Sequence, residues 1–443
     1  MKVVELSGWG RFPRVDGDEL RSESLESITG GATLSRGLGR SYGDSSLPAR
    51  PGAQVANTTA ADRILFFDPA SGSLRVEAGF SLFELVRHFL PRGWFTPVTP
   101  GTQFVTVGGM VASDVHGKNH HVEGCFGEHV EALRMRLADG RILDVTEENE
   151  PDLFRATLGG MGLTGHILEV QFRLKRVPTP WIYGESEQVG DFDTLVERLR
   201  EASREWPYTV SWADSVRKSG QLGRGLLMKG RWAEPHEAPV HPPEIRRSIA
   251  VPFDLPRWVL APWSMQLFNY LLFHRHGADV KRGIEHPQDF FYPLDMIRHW
   301  NRIYGPEGFV QYQCVLPVDR DPGVARRFFE ILTRAEVGSF LTVIKDCGKE
   351  GKGTLSFPQP GISIACDIPM RGASTRRLVD ALNEVVVSVE GRIYLTKDSL
   401  TRREHYERME PRLEMFRRVR AKWDPERRLK SAQSVRVLGD SEE

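Results

Sequence analysis

The sequence predicts an α+β fold of antiparallel hairpins edged by short helices, and three observations carry that expectation. Arg63–Asp68 (RILFFD) and Ser73–Gly79 (SLRVEAG) are apolar-rich runs split by Pro-Ala-Ser-Gly, which reads as a hairpin. Ala132–Thr146 (ALRMRLADGRILDVT) is a second hairpin, turning at Asp139-Gly140. Residues 1–180 alternate short strands and short helices, but the strands come as antiparallel hairpins, so βαβ units are not expected.

Asp18 to Thr29 carries sparse apolar residues and stops at Gly30-Gly31, which predicts a short surface helix. Ala32–Asp44 (ATLSRGLGRSYGD) starts as a strand and breaks into a glycine loop. Ser81 caps an amphipathic helix with apolar Leu82, Phe83, Leu85, Val86, Phe89 and Leu90, ended by Pro91 and Gly93. Pro151 opens a short helix, followed by the glycine turn TLGGMGLTG and a long strand. VPTP at 177–180 marks a boundary, giving units 1–177 and 178–391. The second unit holds a helix at Phe192–Trp206 and the strand-like runs YTVSWAD, GFVQYQCVLP, GSFLTVIKD and GISIACDIP. Its proline-rich stretch Glu234–Pro256 reads as a mobile loop. Arg257–His274 is aromatic and apolar, either a core helix or a lipid-facing surface. From Arg392 to the end the chain is helical and charged.

The composition excludes some classes. Lys plus Arg equals Asp plus Glu at 59 each, which argues against nucleic acid, since phosphate neutralisation needs a basic surplus. Cys125, Cys314, Cys347 and Cys366 are scattered, forming neither a disulfide framework nor a zinc ribbon, and suit a reducing compartment. The first residues turn polar and acidic at once, so no signal peptide is visible and a cytoplasmic location is expected. No apolar run reaches a membrane-spanning length.

Chemistry is concentrated between Pro97 and Val130, which hold four histidines, a lysine and six glycines. Gly108-Gly109 leaves backbone amides bare of side chains, and a helix from Val107 to Ser113 would add its positive end, so an anion is expected there. Four glycine elements lie within the first unit: RGLGRSYGD (36–44), PGTQFVTVGG (100–109), EGCFGEHV (123–130) and TLGGMGLTGHI (157–167). A long diphosphate cofactor gripped by backbone amides explains them together. The spacing G-x-G-x-x-x-G at 37–43 is not the dinucleotide fingerprint. His116, His120, His121 and His129 invite a metal reading, but no HExxH helix is present, and no metal is assigned. His116 is retained as a functional candidate because it follows directly on the cradle.

These motifs, with FYPLDMIRHWNRIYGPEGFVQYQ and YLTKDS, resemble the decaprenylphosphoryl-β-D-ribose 2′-oxidase family of vanillyl-alcohol-oxidase-type FAD oxidoreductases. The likeness covers nearly the whole chain and is most specific in HGKNHH and the YPLD…YGP…QYQ run. It implies a two-lobed vanillyl-alcohol-oxidase or p-cresol-methylhydroxylase-type fold. Residues 1–177, completed by 392–443, would bind FAD, and 178–391 would form a substrate lobe on an antiparallel sheet. The FAD contacts it implies are Arg36, Gly37, Leu38, Gly39, Arg40, Ser41, Tyr42 and Gly43 in the first loop. Pro100, Gly101, Thr102, Thr106, Val107, Gly108, Gly109, Ala112, Ser113, His116, Gly117 and Asn119 follow. Gly124, Cys125, Gly127, Gly160, Gly162, Leu163, Gly165, Ile167 and Tyr394 complete them. Some relatives tether FAD through a histidine in the first loop; Arg40 stands at that position, so non-covalent FAD is expected. The implied substrate pocket comprises Lys118, Trp212, Tyr304, Gln311, Gln313, Lys345, Ala365 and Lys397. Ala365 replaces the cysteine of mycobacterial members.

The implied reaction oxidises the ribose 2′-hydroxyl of a polyprenylphosphoryl sugar, with a short-chain dehydrogenase/reductase partner completing epimerisation. Lys397, His116 and Tyr42 are its catalytic candidates, and Lys397 is open as a base or a cationic stabiliser. Tyr394 and Lys397 would face opposite sides of a continuous strand, so a turn between them is required. A peripheral contact with the inner face of the membrane fits the aromatic segment. A flavin oxidase of an alditol or sugar lactone, and a histidine-loop metallohydrolase, are the alternative readings.

Overall fold

The computed structural model describes residues 3–216, 222–277, 279–335, 339 and 341–442. Its first sheet has four strands in the order Val3–Ser7, Arg14–Arg21, Gln54–Asn57, Leu34–Arg36. A second sheet of five strands runs Ile64–Phe67, Ser73–Glu77, His166–Arg173, Val130–Arg136, Ile142–Val145, and every pair is antiparallel. Both expected hairpins are edges of this sheet. The largest sheet has eight antiparallel strands: Lys281–Glu285, Ile182–Val189, Gly225–Trp232, Tyr208–Ala213, Thr342–Cys347, Gly361–Pro369, Phe309–Leu316 and Arg392–Ile393. The α+β class therefore holds.

Local signals placed the helices well. Ser81 caps Leu82–Phe89, its side chain accepting from the Glu84 amide at 3.2 Å, and Asp191 caps Phe192–Glu205 by accepting from the Thr194 amide at 3.0 Å. Pro151 opens Pro151–Thr157, where its missing N–H costs nothing.

Three expectations change. Asp18–Thr29 is not a helix: Arg14–Arg21 is a strand, and only Leu25–Ile28 makes a helical turn. The 14–21 strand is paired on both edges, antiparallel to Val3–Ser7 and parallel to Gln54–Asn57, so ladder bonds override a weak local pattern. That parallel pairing, repeated between Leu34–Arg36 and Gln54–Asn57, departs from the antiparallel expectation. The proline-rich 234–256 segment is pinned rather than loose. Ile249–Ala250 pairs with Ile297–Arg298, Trp181 Nε1 donates to His241 O, and Arg11 bonds Asp254. The run GSFLTVIKD begins with Gly338 and Phe340 outside the described residues, and its strand is described from Thr342.

Pro262–His276 buries only Met265, Asn269 and Phe273, one narrow stripe at four-residue spacing. Trp258 (62 % exposed), Trp263 (60 %), Leu267, Phe268, Tyr270 and Leu271 stand outward, so the core-helix alternative fails for most of its apolar residues. Among the described residues no helix is long and apolar enough to cross a membrane.

The C-terminal segment stitches the sheets together. After the edge strand Arg392–Ile393, a single 3-10 turn at Leu395–Lys397 leads into helices Arg403–Met409 and Leu413–Trp423. The chain then returns with Arg436, whose guanidinium bonds Asp44 at 2.7 and 2.9 Å and Asp398 at 2.8 Å. Both carboxylates are buried. Removing one member of a buried charge cluster leaves the others uncompensated, at a typical cost of about 3–5 kcal/mol. Arg436→Ala should therefore lower the urea midpoint of the folded protein by a matching amount, with Arg436→Lys between the two. An unchanged midpoint would show that the cluster does not hold the fold.

Candidate active site

The cradle is built where the glycine loop after Leu34–Arg36 meets the short helix Val107–Ala112. The expectation of bare amides at Gly108-Gly109 is not met: Gly108 N–H donates to Ala78 O at 2.9 Å, and Gly109 N–H to Thr106 Oγ1 at 3.3 Å. The glycines serve close packing there, since a Cβ on Gly108 would crowd Ala78. The free amides lie elsewhere. Those of Leu38, Gly39, Arg40 and Ser41 donate to no described residue, and the same is true of Gly101 and Thr102. Gly39 adopts φ +64, the left-handed conformation that turns successive amides toward one point and makes an anion nest. Arg36 supports the loop from below, bonding Ser7 O at 2.7 Å and Ser46 Oγ at 2.8 Å. Its charge is thus spent on protein, and its part in the cradle is the shape of the loop. Arg40 stacks over Trp9 at 4.0 Å and approaches Phe104 at 5.3 Å.

Leu38 is exposed and Ser41 O accepts from Trp9, while Gly160, Leu163, Gly165 and Ile167 are turned into protein. Gly160 sits against Ala156, Leu163 O accepts from Arg420, and Ile167 is core. Gly162, at φ +78, faces open space. Cys125 pairs with His116 in an isolated bridge, and Gly127 N–H donates to Asp114 at 2.7 Å. Thr102 Oγ1 donates to Asp295 at 2.7 Å and Asn119 Nδ2 to Pro97 O at 2.8 Å, while Tyr394 OH donates to Ser113 O at 3.0 Å.

One face of the eight-stranded sheet closes the other side. Directly paired strand residues share a face, and so do alternate residues. The pairs Trp212–Val343, Val343–Ala365, Ala365–Gln313, Lys345–Ser363 and Asp367–Gln311 therefore place all these side chains together. Contacts agree. Gln313 Nε2 donates to His116 Nε2 and to Ser363 Oγ, each at 2.9 Å. Tyr304 OH and Gln311 Nε2 donate to Asp367. His116 lies 5.0 Å from the Tyr394 ring, and Lys397 Nζ lies 5.8 Å from the Tyr42 ring. The turn at Leu395–Lys397 brings Tyr394 and Lys397 to the same site, as required. Cys366 faces the opposite side, in the core with Tyr312, Cys314 and Ile364.

Burial dominates the electrostatics. It lowers the Lys397 ammonium to about 7, helped by Lys345 and opposed by Asp367, so a neutral amine is accessible near neutrality. Lys118 is likewise lowered to about 7 by burial. Lys345 is lowered by burial, and His116 is held well below its ordinary value by burial, Lys345, His120 and Lys397. Because His116 Nε2 accepts from Gln313, its proton sits on Nδ1, which has no described partner. Tyr42 is pushed well above 10 by burial and Asp367, and stays a neutral phenol.

Three carboxylates were missed. Asp367, raised to about 6 by burial, is the acceptor for Tyr304 and Gln311; its position two residues after Ala365 was the available signal. Asp114, fully buried at φ +38, receives Gly127 N–H and Ser356 OH. Asp295 receives Thr102 OH and Gln103 N–H. The loop histidines are engaged otherwise than in a metal cluster: His121 Nε2 donates to Trp206 O at 2.9 Å, and His129 Nε2 to Glu123 O at 3.1 Å.

The free loop amides, the unpartnered Nδ1 of His116 and the facing lysines suit a diphosphate cofactor with a redox ring, and comparison with known proteins defines the class. Residues 29–146 match a family model described as an FAD binding domain. The chain is an FAD-dependent oxidoreductase. It is 33 % identical to decaprenylphosphoryl-beta-D-ribose oxidase of Mycolicibacterium smegmatis over 95 % of this chain and 94 % of that protein. It is 31 % identical to an uncharacterised protein of Streptomyces coelicolor over 78 % of this chain and 96 % of the other. A putative D-arabinono-1,4-lactone oxidase of Neurospora crassa is 31 % identical over 25 % of this chain and 20 % of its own. The chain belongs to the decaprenylphosphoryl-β-D-ribose oxidase family.

The strand register yields a thiol test. Cys366, pushed above its ordinary range by burial, should resist alkylation in the folded holoprotein, whereas Ala365→Cys should introduce a thiol on the site face. Mass spectrometry after brief treatment with a small alkylating reagent decides it. Modification of Cys366 in the wild type would shift the register by one.

Proposed function

We propose that this protein oxidises the 2′-hydroxyl of a polyprenylphosphoryl-β-D-ribose to the 2′-keto sugar, the first half of epimerisation to an arabinose donor for cell-wall polysaccharide. The observation that carries this reading is the relationship to the mycobacterial ribose oxidase across 95 % of the chain. The lactone-oxidase relative shares only a quarter of the chain, which makes a soluble lactone or alditol the weaker candidate. A short-chain dehydrogenase/reductase would complete the epimerisation.

In this reading, residues 1–177 with 392–443 form a cofactor lobe and 178–391 a substrate lobe. The amides of Leu38 to Ser41 would hold the FAD diphosphate, and His116, Asn119, Gly124, Gly127 and Tyr394 would line the ring end. FAD supplies the hydride acceptor. Arg40 occupies the position of the tethering histidine and cannot form that bond, so the cofactor is held without covalent attachment. Lys397, as a neutral amine, takes the hydroxyl proton, and Tyr42 positions the sugar as a neutral phenol. Asp367 fixes Gln311 and Tyr304, and Gln313 orients His116 so that Nδ1–H faces the site. The outward aromatic face of 258–271 contacts the cytoplasmic surface of the membrane, where the lipid substrate resides.

Purified holoenzyme should convert polyprenylphosphoryl ribose to its keto product and leave ribose, alditols and lactones unchanged. Turnover of the free sugars alone would sink the reading. Lys397→Ala should lose at least ~10²-fold in kcat/KM while retaining acid-extractable FAD. In the wild type, kcat/KM should fall about tenfold per pH unit below about 7, as the amine becomes protonated, and level off above. A flat profile, or near wild-type turnover by the variant, removes Lys397 as the base.

Trp258→Ser combined with Trp263→Ser should raise KM for a long-chain substrate more than for a short-chain one, because tail binding acts on KM. Equal effects would assign these tryptophans to packing.

A further inference from the structure

Hydrogen-bond donors gather beside the site with no acceptor to meet them. Lys345 points from the Thr342–Cys347 strand onto the site face, and it makes no hydrogen bond or ion pair with any described residue. The loop that carries His116 and Lys118 is fastened on both sides of it. Thr209 N–H, on the neighbouring strand, donates to Lys118 O at 3.0 Å. Gly348 N–H, just beyond the end of the Lys345 strand, donates to His120 Nδ1 at 3.0 Å. That second bond fixes the tautomer: neutral His120 carries its proton on Nε2. His120 is 1 % exposed, and its Nε2 has no described partner. Lys118 spends one N–H on Phe290 O and keeps the others.

Burial depresses Lys118, His116, His120 and Lys397, and the charge of Lys345 lowers each of them further, in keeping with that arrangement. The carboxylate on the same sheet face is already committed. Asp367 accepts from Tyr304 and Gln311, and the charge of Glu285 bears on Lys118. His120 Nε2–H is a buried donor without a described acceptor, which is costly, and together with the two half-buried ammonium groups it forms a cluster that an anion completes.

The geometry points to Lys345, flanked by Lys118 and His120 Nε2–H, as the subsite for the phosphoryl group of the sugar substrate. This rests on the proposed function and deepens it. In a β-ribosyl phosphate the phosphate stands on the anomeric carbon, next to the carbon that bears the 2′-hydroxyl. Only C2, C1 and the bridging oxygen separate the two groups, so an oxidase of that hydroxyl must hold the phosphate close to its base. Lys345 meets that requirement by its place on the sheet face: it pairs with Ser363, whose Oγ accepts from Gln313, the residue that also bonds His116. Its charge also lowers Lys397. On that reading the diphosphate of FAD would be held by the Leu38–Ser41 amides, which leaves the lysine cluster to the substrate. Specificity follows: a neutral ribose glycoside leaves these donors unpaired, whereas a phosphorylated one satisfies them.

The test is calorimetric titration of the FAD-loaded protein with β-D-ribose 1-phosphate and with methyl β-D-ribofuranoside, which needs no turnover. The wild type should prefer the phosphate. Lys345→Met should weaken phosphate binding at least ~10-fold and collapse the preference, while Lys345→Arg retains much of it. Lys118→Met, a second variant in case Lys345→Met loses its FAD, should weaken the phosphate selectively too. Unchanged phosphate binding in either folded variant, or no preference in the wild type, overturns the assignment. The two readings fail separately. Phosphate preference without oxidation of phosphoryl ribose would sink the proposed reaction and leave the subsite standing. Oxidation with unaltered binding in Lys345→Met would do the reverse.

Discussion

The structure depends on the close approach of the glycine loop 36–44 to the turn 394–399. Tyr42 N–H donates to Thr396 O at 2.9 Å, and Gly43 lies so near Asp398 O that a Cβ would overlap it. Arg436 then binds Asp44 and Asp398 from behind, so one guanidinium ties the loop that carries Tyr42 to the turn that carries Lys397. Two segments more than 350 residues apart in sequence meet here, within one hydrogen-bonded unit. A glycine at position 43 is a steric requirement of that meeting, not a matter of loop flexibility.

With that junction fixed, the sheet face decides the chemistry. Lys345, Ala365, Asp367, Gln311 and Gln313 are set by strand register alone, and they confront a loop bearing His116 and Lys118. Burial, with Lys345 as a neighbouring cation, disfavours the charged ammonium of Lys397, which is how a lysine acquires a base's pKa near 7. Asp367 keeps the balance from tipping fully, since it raises Lys397 while Lys345 lowers it. The same crowding that prepares Lys397 for proton transfer makes the neighbourhood receptive to an anion.

Much of this was legible in the sequence, and what was not has physical causes. The hairpins, the Ser81 cap and the helix opened by Pro151 are local devices, and the chain shows them directly. The Arg14–Arg21 strand was misread because its pattern is weak and its state is decided by partners from residues 3–7 and 54–57. Glycines at 108 and 109 suggested free amides, but only the fold shows that Ala78 and Thr106 consume them. Strand alternation accounts for Ala365 and Cys366 facing opposite ways. Asp44 and Asp398 lie within the RGLGRSYGD and YLTKDS motifs, but nothing in the sequence joins them to Arg436, because a buried charge cluster assembled across the chain leaves no trace in spacing.

The 3-10 turn at Leu395–Lys397 shows why the C-terminal segment belongs to the site. Had the Arg392–Ile393 strand continued, Tyr394 and Lys397 would project from opposite faces, one of them into the helix-covered side of the sheet. The tighter turn rotates Lys397 back toward Tyr42, while Tyr394 stays beside His116 with its hydroxyl on Ser113 O. Such a turn is short of internal hydrogen bonds and needs outside support. Gln433 supplies it at Leu395 O (2.7 Å), Tyr42 at Thr396 O, and Arg436 at the Asp398 carboxylate. Two of these three supports come from the last stretch of the chain, so the lysine's placement is determined by residues that never reach the reacting groups.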